Sequence, residues 1–146
     1  MKISTKGRYG LRIVLDLVMR QSGSPRLLRD IAESQQLSEK YLSRLMVDLR
    51  RAGLVHSIRG AKGGFRIAKK AEEITLLDVV EAMEGPLSII DCVADPDNCD
   101  RHDTCVTRDI WGQLNADIRA NMSKVTVQDI IKNYQQQITV ASDYII

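Results

Sequence analysis

The stretch LSEKYLSRLMVDLRRAGLVHSIRGAKGGFRIAKK, residues 37–70, carries two periodicities in succession. After Ser38, the apolar residues Leu42, Leu45, Met46 and Leu49 recur at the spacing of one helix face, with Tyr41 beside them. Ser38 stands where a helix needs an N-cap, and Gly53 where one closes. The opposite face holds Glu39, Lys40, Ser43, Arg44, Asp48 and Arg51. LVHSIRG and GFRIAKK then read as short strands around GAKGG, whose glycines permit the backbone of a hairpin turn.

Working outward, LLRDIAESQ reads as a short helix and Gln36-Leu37 as a tight connection, so this helix and the one after Ser38 form a helix-turn-helix candidate. Further upstream, Tyr9, Ile13, Leu17, Val14 and Val18 place a helix over TKGRYGLRIVLDLVMRQ, ended by the Gly-Ser-Pro at 23–25. The expected fold is mainly α with a small β-wing, a winged helix-turn-helix domain over residues 1–85.

Downstream, Thr75 can cap ITLLDVVEAME, with Leu76, Val79, Val80 and Met83 on one face and Gly85-Pro86 as the stop. Residues 86–103 form a cysteine-rich loop. A long helix is expected from about Thr104, with Ile110, Leu114, Ile118 and Met122, together with Trp111 and Val125, as a continuous apolar stripe. Thr126 and Asp129 resemble a capping box for VQDIIKNYQQQ, which closes a segment at 104–137, and residues 138–146 are a tail.

The formal net charge of +2 hides a division: residues 1–70 hold sixteen Lys and Arg against five Asp and Glu, and residues 71–146 hold five against fourteen. A part at +11 joined to a part at −9 indicates that the first meets a polyanion such as nucleic acid. Exposed residues at the start of a recognition helix reach base edges, where Arg44 is placed to take guanine bidentately and Lys40 or Ser43 to read bases or phosphate. The wing carries Arg59, Lys62 and Arg66, and its slim tip can put a guanidinium into a minor groove. Lys2, Lys6 and Arg8 lie where a helix start meets phosphate. The expected DNA-contacting set is Lys2, Lys6, Arg8, Ser38, Glu39, Lys40, Tyr41, Ser43, Arg44, Arg59 and Lys62.

A chain of 146 residues, 44% hydrophobic, can fill a core without staples. Its N-terminus lacks the apolar core of a signal peptide and no apolar run approaches the ~18 residues of a membrane span, so the expected compartment is the cytoplasm, with no membrane partner. Neither His56 nor His102 accompanies a nucleophile motif, and no phosphate-binding glycine signature occurs, which argues against an enzyme.

MKISTKGRYGL, LSEKYLSRLMVDLRRAGLVHSIRGAKGGF, the cysteines Cys92, Cys99 and Cys105, and CVTRDIWGQL closely resemble the IscR-type winged-helix regulators over nearly the whole chain. The resemblance implies a homodimeric transcription regulator whose long helix pairs with its twin and whose cysteine loop holds an iron–sulfur cluster. The residues agree: three thiols with gaps of six and five residues suit a segment wrapping a compact inorganic core. Zinc more often shows CxxC pairs, which are absent. A disulfide-closed loop fits poorly with an odd cysteine count in a reducing compartment. An EF-hand reading of DPDNCDRHDTCV fails, because Asp100 takes the glycine position and Val106 the bidentate glutamate position. Three free thiols without a cofactor is the opposing reading.

The expected ligands are Cys92, Cys99 and Cys105 on a 2Fe–2S cluster. The family's cluster motif normally has a histidine three residues after the third cysteine, where this chain has Arg108. His102, a loop aspartate or an external group is then the fourth ligand; nitric-oxide sensors of the family use an aspartate near the partner's N-terminus, where this chain has Arg8. The ending SDYII resembles the tails by which serine acetyltransferase docks into cysteine synthase. Regulators of the related CymR type, which lack the cysteines, are controlled through that enzyme, so the alternative is a cysteine-metabolism regulator that needs no cluster.

Overall fold

A computed structural model describes residues 3–143. Seven helices and one hairpin follow in order: α1 Thr5–Met19, α2 Leu28–Gln35, α3 Glu39–Arg51, β1 Val55–Ile58, β2 Gly64–Ile67, α4 Leu76–Glu84, α5 Asp91–Ala94, α6 Arg108–Lys124 and α7 Val127–Asp143, with 3-10 turns at Ala71–Glu73 and Pro96–Asn98. The fold is mainly helical with a two-stranded antiparallel wing, as the periodicities predict.

The expected caps form. Ser38 accepts the amide of Tyr41 at 3.2 Å to start α3. Thr75 and Asp78 exchange hydrogen bonds at the start of α4, as do Thr126 and Asp129 before α7. Each satisfies amides that the first helical turn leaves unpaired. Gln36 supplies the left-handed residue, at φ 55°, that turns α2 into α3.

One core unites Ile13, Val14 and Leu17 of α1, Ile31 of α2, Leu42, Leu45, Met46 and Leu49 of α3, and Val79 and Met83 of α4. Two glycines let α4 approach α1: a Cβ on Gly7 would lie 2.6 Å from Glu84 Oε1, and one on Gly10 2.7 Å from Met83 Sδ. The wing registers Val55 against Ile67 and Ile58 against Gly64. Arg26 extends it as a third short bridge, exchanging backbone hydrogen bonds of 2.9 and 2.7 Å with Phe65.

Three expectations change in extent. The long helix begins at Arg108 rather than near Thr104, because residues 99–107 are taken up by successive turns closed between Cys99 and His102, Arg101 and Thr104, and Cys105 and Arg108. α7 continues to Asp143, six residues into the segment read as tail, and its Val127 and Ile131 enter the winged-helix core. The stripe on α6 divides: Met122 and Ile118 pack on Val80 and Leu87, whereas Ile110, Trp111 and Leu114 lie exposed.

Candidate nucleic-acid interface and cysteine loop

α3 buries its apolar face and presents Glu39, Lys40, Ser43 and Arg44 to solvent from its first two turns. Tyr41 is turned differently from the base-reading expectation. It is half-buried, with its ring edge-on to Tyr9 at 6.1 Å, so it braces α3 on α1. Ser38 spends its side-chain oxygen on the Tyr41 amide. Arg59 and Lys62 stand exposed on the loop joining the strands, as expected for a wing tip.

Other cations are engaged within the chain. Lys6 Nζ lies 2.8 Å from Asp48 Oδ2, and Arg51 Nη1 3.6 Å from the other oxygen of Asp48. Arg66 donates to the carbonyl of Gly23, which ties β2 to the turn after α1 instead of offering a charge at the tip. Arg8 is exposed, and Lys2 lies outside the described residues. Sequence reasoning placed Asp48 on a solvated face and did not anticipate its role as an anchor. It also passed over Arg50, an exposed cation in the last turn of α3, for which the Arg50-Arg51 pair was the available signal.

The loop leaves the body through two grips. Leu87 donates its amide to Glu81 Oε1 at 2.8 Å, and Arg119 of α6 pairs with Glu81 while reaching the Leu87 carbonyl. Ile89 donates its amide to Asn115 Oδ1 at 3.1 Å. One turn further along α4, Glu84 Oε1 accepts from Ser4 N at 3.1 Å, Ser4 Oγ at 2.6 Å and Gly7 N at 3.0 Å. A carboxylate thereby caps the start of α1, where the helix dipole favours negative charge.

Cys92 sits on α5, while Cys99 and Cys105 lie on the turns that follow; all three are free thiols and half-buried. A hydrogen bond from the Thr107 hydroxyl, with Sγ to Oγ1 at 3.4 Å, holds the Cys105 thiol below its ordinary pKa, aided by the Thr107 backbone. His102 places Nδ1 3.2 Å from the Cys99 carbonyl and Nε2 3.0 Å from Asp103, two acceptors of which a neutral ring donates to one. The donor set fits an iron–sulfur group in kind, being three thiols on one short segment. Among the described residues no three His, Cys, Asp or Glu side chains converge on one point, so the three thiols stand apart from one another.

A short-turned helix pair followed by a basic two-stranded wing defines a winged-helix DNA-binding protein. The Rrf2 family, described as an iron-dependent transcriptional regulator, matches residues 3–133. The chain is 38% identical over 133 residues to protein rrf2 of Nitratidesulfovibrio vulgaris, covering 91% of this chain and 89% of that protein. The solved structure of CymR, the global cysteine regulator of Bacillus subtilis, matches with a TM-score of 0.73 and 35% identity over 91% of this chain and 98% of the other. IscR of T. potens matches with a TM-score of 0.73 and 34% identity over 94% of this chain and 90% of the other. The chain belongs to the Rrf2 family of DNA-binding transcriptional regulators. No helix among the described residues is long and apolar enough to cross a membrane.

Proposed function

We propose that this chain is a homodimeric, operator-binding regulator whose DNA affinity is set by an iron–sulfur cluster of the 2Fe–2S type on Cys92, Cys99 and Cys105. The observation that carries the reading is three free, half-buried thiols on a segment whose root is hydrogen-bonded to both α4 and α6. Bound there, the group supplies one-electron redox chemistry and a response to iron supply. The chain's own part is to gather the thiols from their separate turns, which changes the loop that Glu81, Asn115 and Arg119 hold. A ligand that favours one loop arrangement shifts DNA affinity by its differential free energy, typically ~1–3 kcal/mol. A neutral His102 ring donates to only one of the Cys99 carbonyl and Asp103, so the fourth ligand beside Arg108 is sought among His102, a loop aspartate and an external group.

DNA contacts are assigned to Arg8, Lys40, Ser43 and Arg44, with Glu39 as a base-edge acceptor and Arg59 and Lys62 at the wing. Lys2 keeps its assignment from sequence, and Lys6, Ser38 and Tyr41 act by positioning α1 and α3. The uncovered apolar end of α6, at Ile110, Trp111 and Leu114, supports pairing with a second copy. Anaerobic purification with visible absorbance and iron and sulfide analysis tests the cluster; colourless, iron-free protein after reconstitution ends it. Comparing operator binding by cluster-loaded protein and Cys92→Ala tests the linkage, and equal affinities refute it.

Similarity to CymR, a global cysteine regulator, favours a second reading, control of cysteine metabolism, for which the resemblance of the SDYII ending to cysteine synthase-docking tails supplies cysteine synthase as the partner. Residues 144–146 of that tail lie outside the described residues. Capture of cysteine synthase by the full chain and not by a chain ending at residue 142 is its expected sign.

A further inference from the structure

We propose that a basic cleft between the last turn of α3 and β1 holds the sugar–phosphate strand that separates the two grooves read by α3 and by the wing. The proposal rests on the reading of this chain as a duplex-DNA binder and adds to it a site outside the residues assigned above. The cleft encloses about 440 Å³ and is lined by Val47, Arg50, Arg51, Val55, His56 and Ser57.

Its walls are held by the backbone. α3 ends at Arg51 and β1 begins at Val55, and Gly53, at φ 70°, turns the chain between them. The turn is closed by Gly53 N donating to Arg50 O and Leu54 N to Leu49 O, each at 3.0 Å. Leu54 and Val55 are buried immediately below. A phosphate arriving here meets a preformed surface.

The chemistry of the lining suits an anion. It offers two guanidinium groups, a hydroxyl and an imidazole, and no carboxylate lines it. The C-terminus of α3 alone presents roughly half a negative charge, which repels phosphate; Arg50 and Arg51 in that last turn reverse the sign. Arg51 is shared with Asp48 at 3.6 Å, whereas Arg50 forms no ion pair among the described residues. Arg50 is therefore the principal phosphate ligand, with His56 and Ser57 on the facing wall.

The position follows from groove geometry. With Lys40, Ser43 and Arg44 in a major groove and Arg59 and Lys62 in the neighbouring minor groove, one phosphate strand must pass between helix and wing. Val47 of the cleft follows Ser43 and Arg44 by one turn of α3, and Ser57 precedes Arg59 by two residues, so the cleft adjoins both reading elements. Contacts there fix register and orientation and carry no base information.

The test is anisotropy titration of a fluorescent random-sequence duplex across salt concentrations, with circular dichroism confirming that each variant folds. Arg50→Gln is expected to flatten the slope of log affinity against log salt by about 0.9, the loss of one phosphate contact, and Arg50→Lys to keep it. Wild-type slopes in both Arg50→Gln and Arg51→Gln would overturn the cleft while leaving the DNA-binding reading intact. A wild type that binds no duplex overturns both.

Discussion

Lys6 Nζ and Asp48 Oδ2 are 2.8 Å apart, which fastens the first turn of α1 to the C-terminal part of α3. Arg51 approaches the same carboxylate at 3.6 Å. A residue on the exposed face of α3 thus holds two cations that would otherwise be open to phosphate.

Asp48→Asn is expected to free both. Binding to random-sequence duplex should tighten and its salt dependence steepen by up to about 1.8, two contacts at roughly 0.9 each. Folding stability should fall by less than about 1 kcal/mol, because the pair is partly exposed. An unchanged slope in a salt titration counts against the release of Lys6 and Arg51.

Arg44→Ala is expected to cost about 1–3 kcal/mol of operator affinity and to relax preference at one base pair. Lys40→Ala should instead weaken all sequences alike if it meets phosphate. In-vitro selection on randomised duplexes with each variant separates the two behaviours.

Gly10→Ala reverses the usual sign for a helical glycine. Alanine in a helix interior is ordinarily favoured by roughly 0.5–1 kcal/mol. Here the added methyl meets Met83 Sδ at 2.7 Å, and the overpacking should leave a net loss of about 1–3 kcal/mol. Gly112→Ala on α6, with nothing within 4 Å of the new Cβ, should show the ordinary gain. Urea midpoints of the two variants give the comparison.

Asp129 supplies an acid-sensitive contribution. The Thr126 hydroxyl and then the Thr126 amide, at 2.7 and 3.0 Å, hold its carboxyl below the ordinary 3.8. A carboxylate lowered in the folded state stabilises above its unfolded pKa and loses that effect as pH falls through the folded value. The stability gap between wild type and Asp129→Asn should therefore be full at neutral pH and close as pH drops from about 5 toward about 3. Thermal melts across that range measure it, and a constant gap refutes the role.

Ile110→Glu should shift the chain toward monomer in sedimentation velocity while leaving its helical content unchanged, since this side chain is 64% exposed in the single chain. Undiminished dimer would place the pairing face elsewhere.

Elements with a local rule were legible in the sequence. α3 follows from its period and Ser38, the wing from its glycines, and α4 and α7 from threonine caps that reach only three residues ahead. The stripe on α6 was legible as apolar, but a period names no partner: Ile118 and Met122 meet α4, whereas Ile110 and Leu114 do not. What escaped depends on residues far apart in the chain, such as Glu84 capping α1 and Arg26 pairing with Phe65. The Lys6–Asp48 pair escaped because polar faces look alike until a neighbour is known. The cysteine loop has no period at all, so its three thiols were readable and their arrangement was not.

The last turn of α4 ties together two segments far apart in the chain. Glu81 grips the root of the cysteine loop and Glu84, three residues on, grips the start of α1. α4 spans only about 14 Å, nine residues at 1.5 Å each, too short to bend appreciably. It acts as a short stiff yoke: the root of the loop and the start of α1 are both held by its final turn.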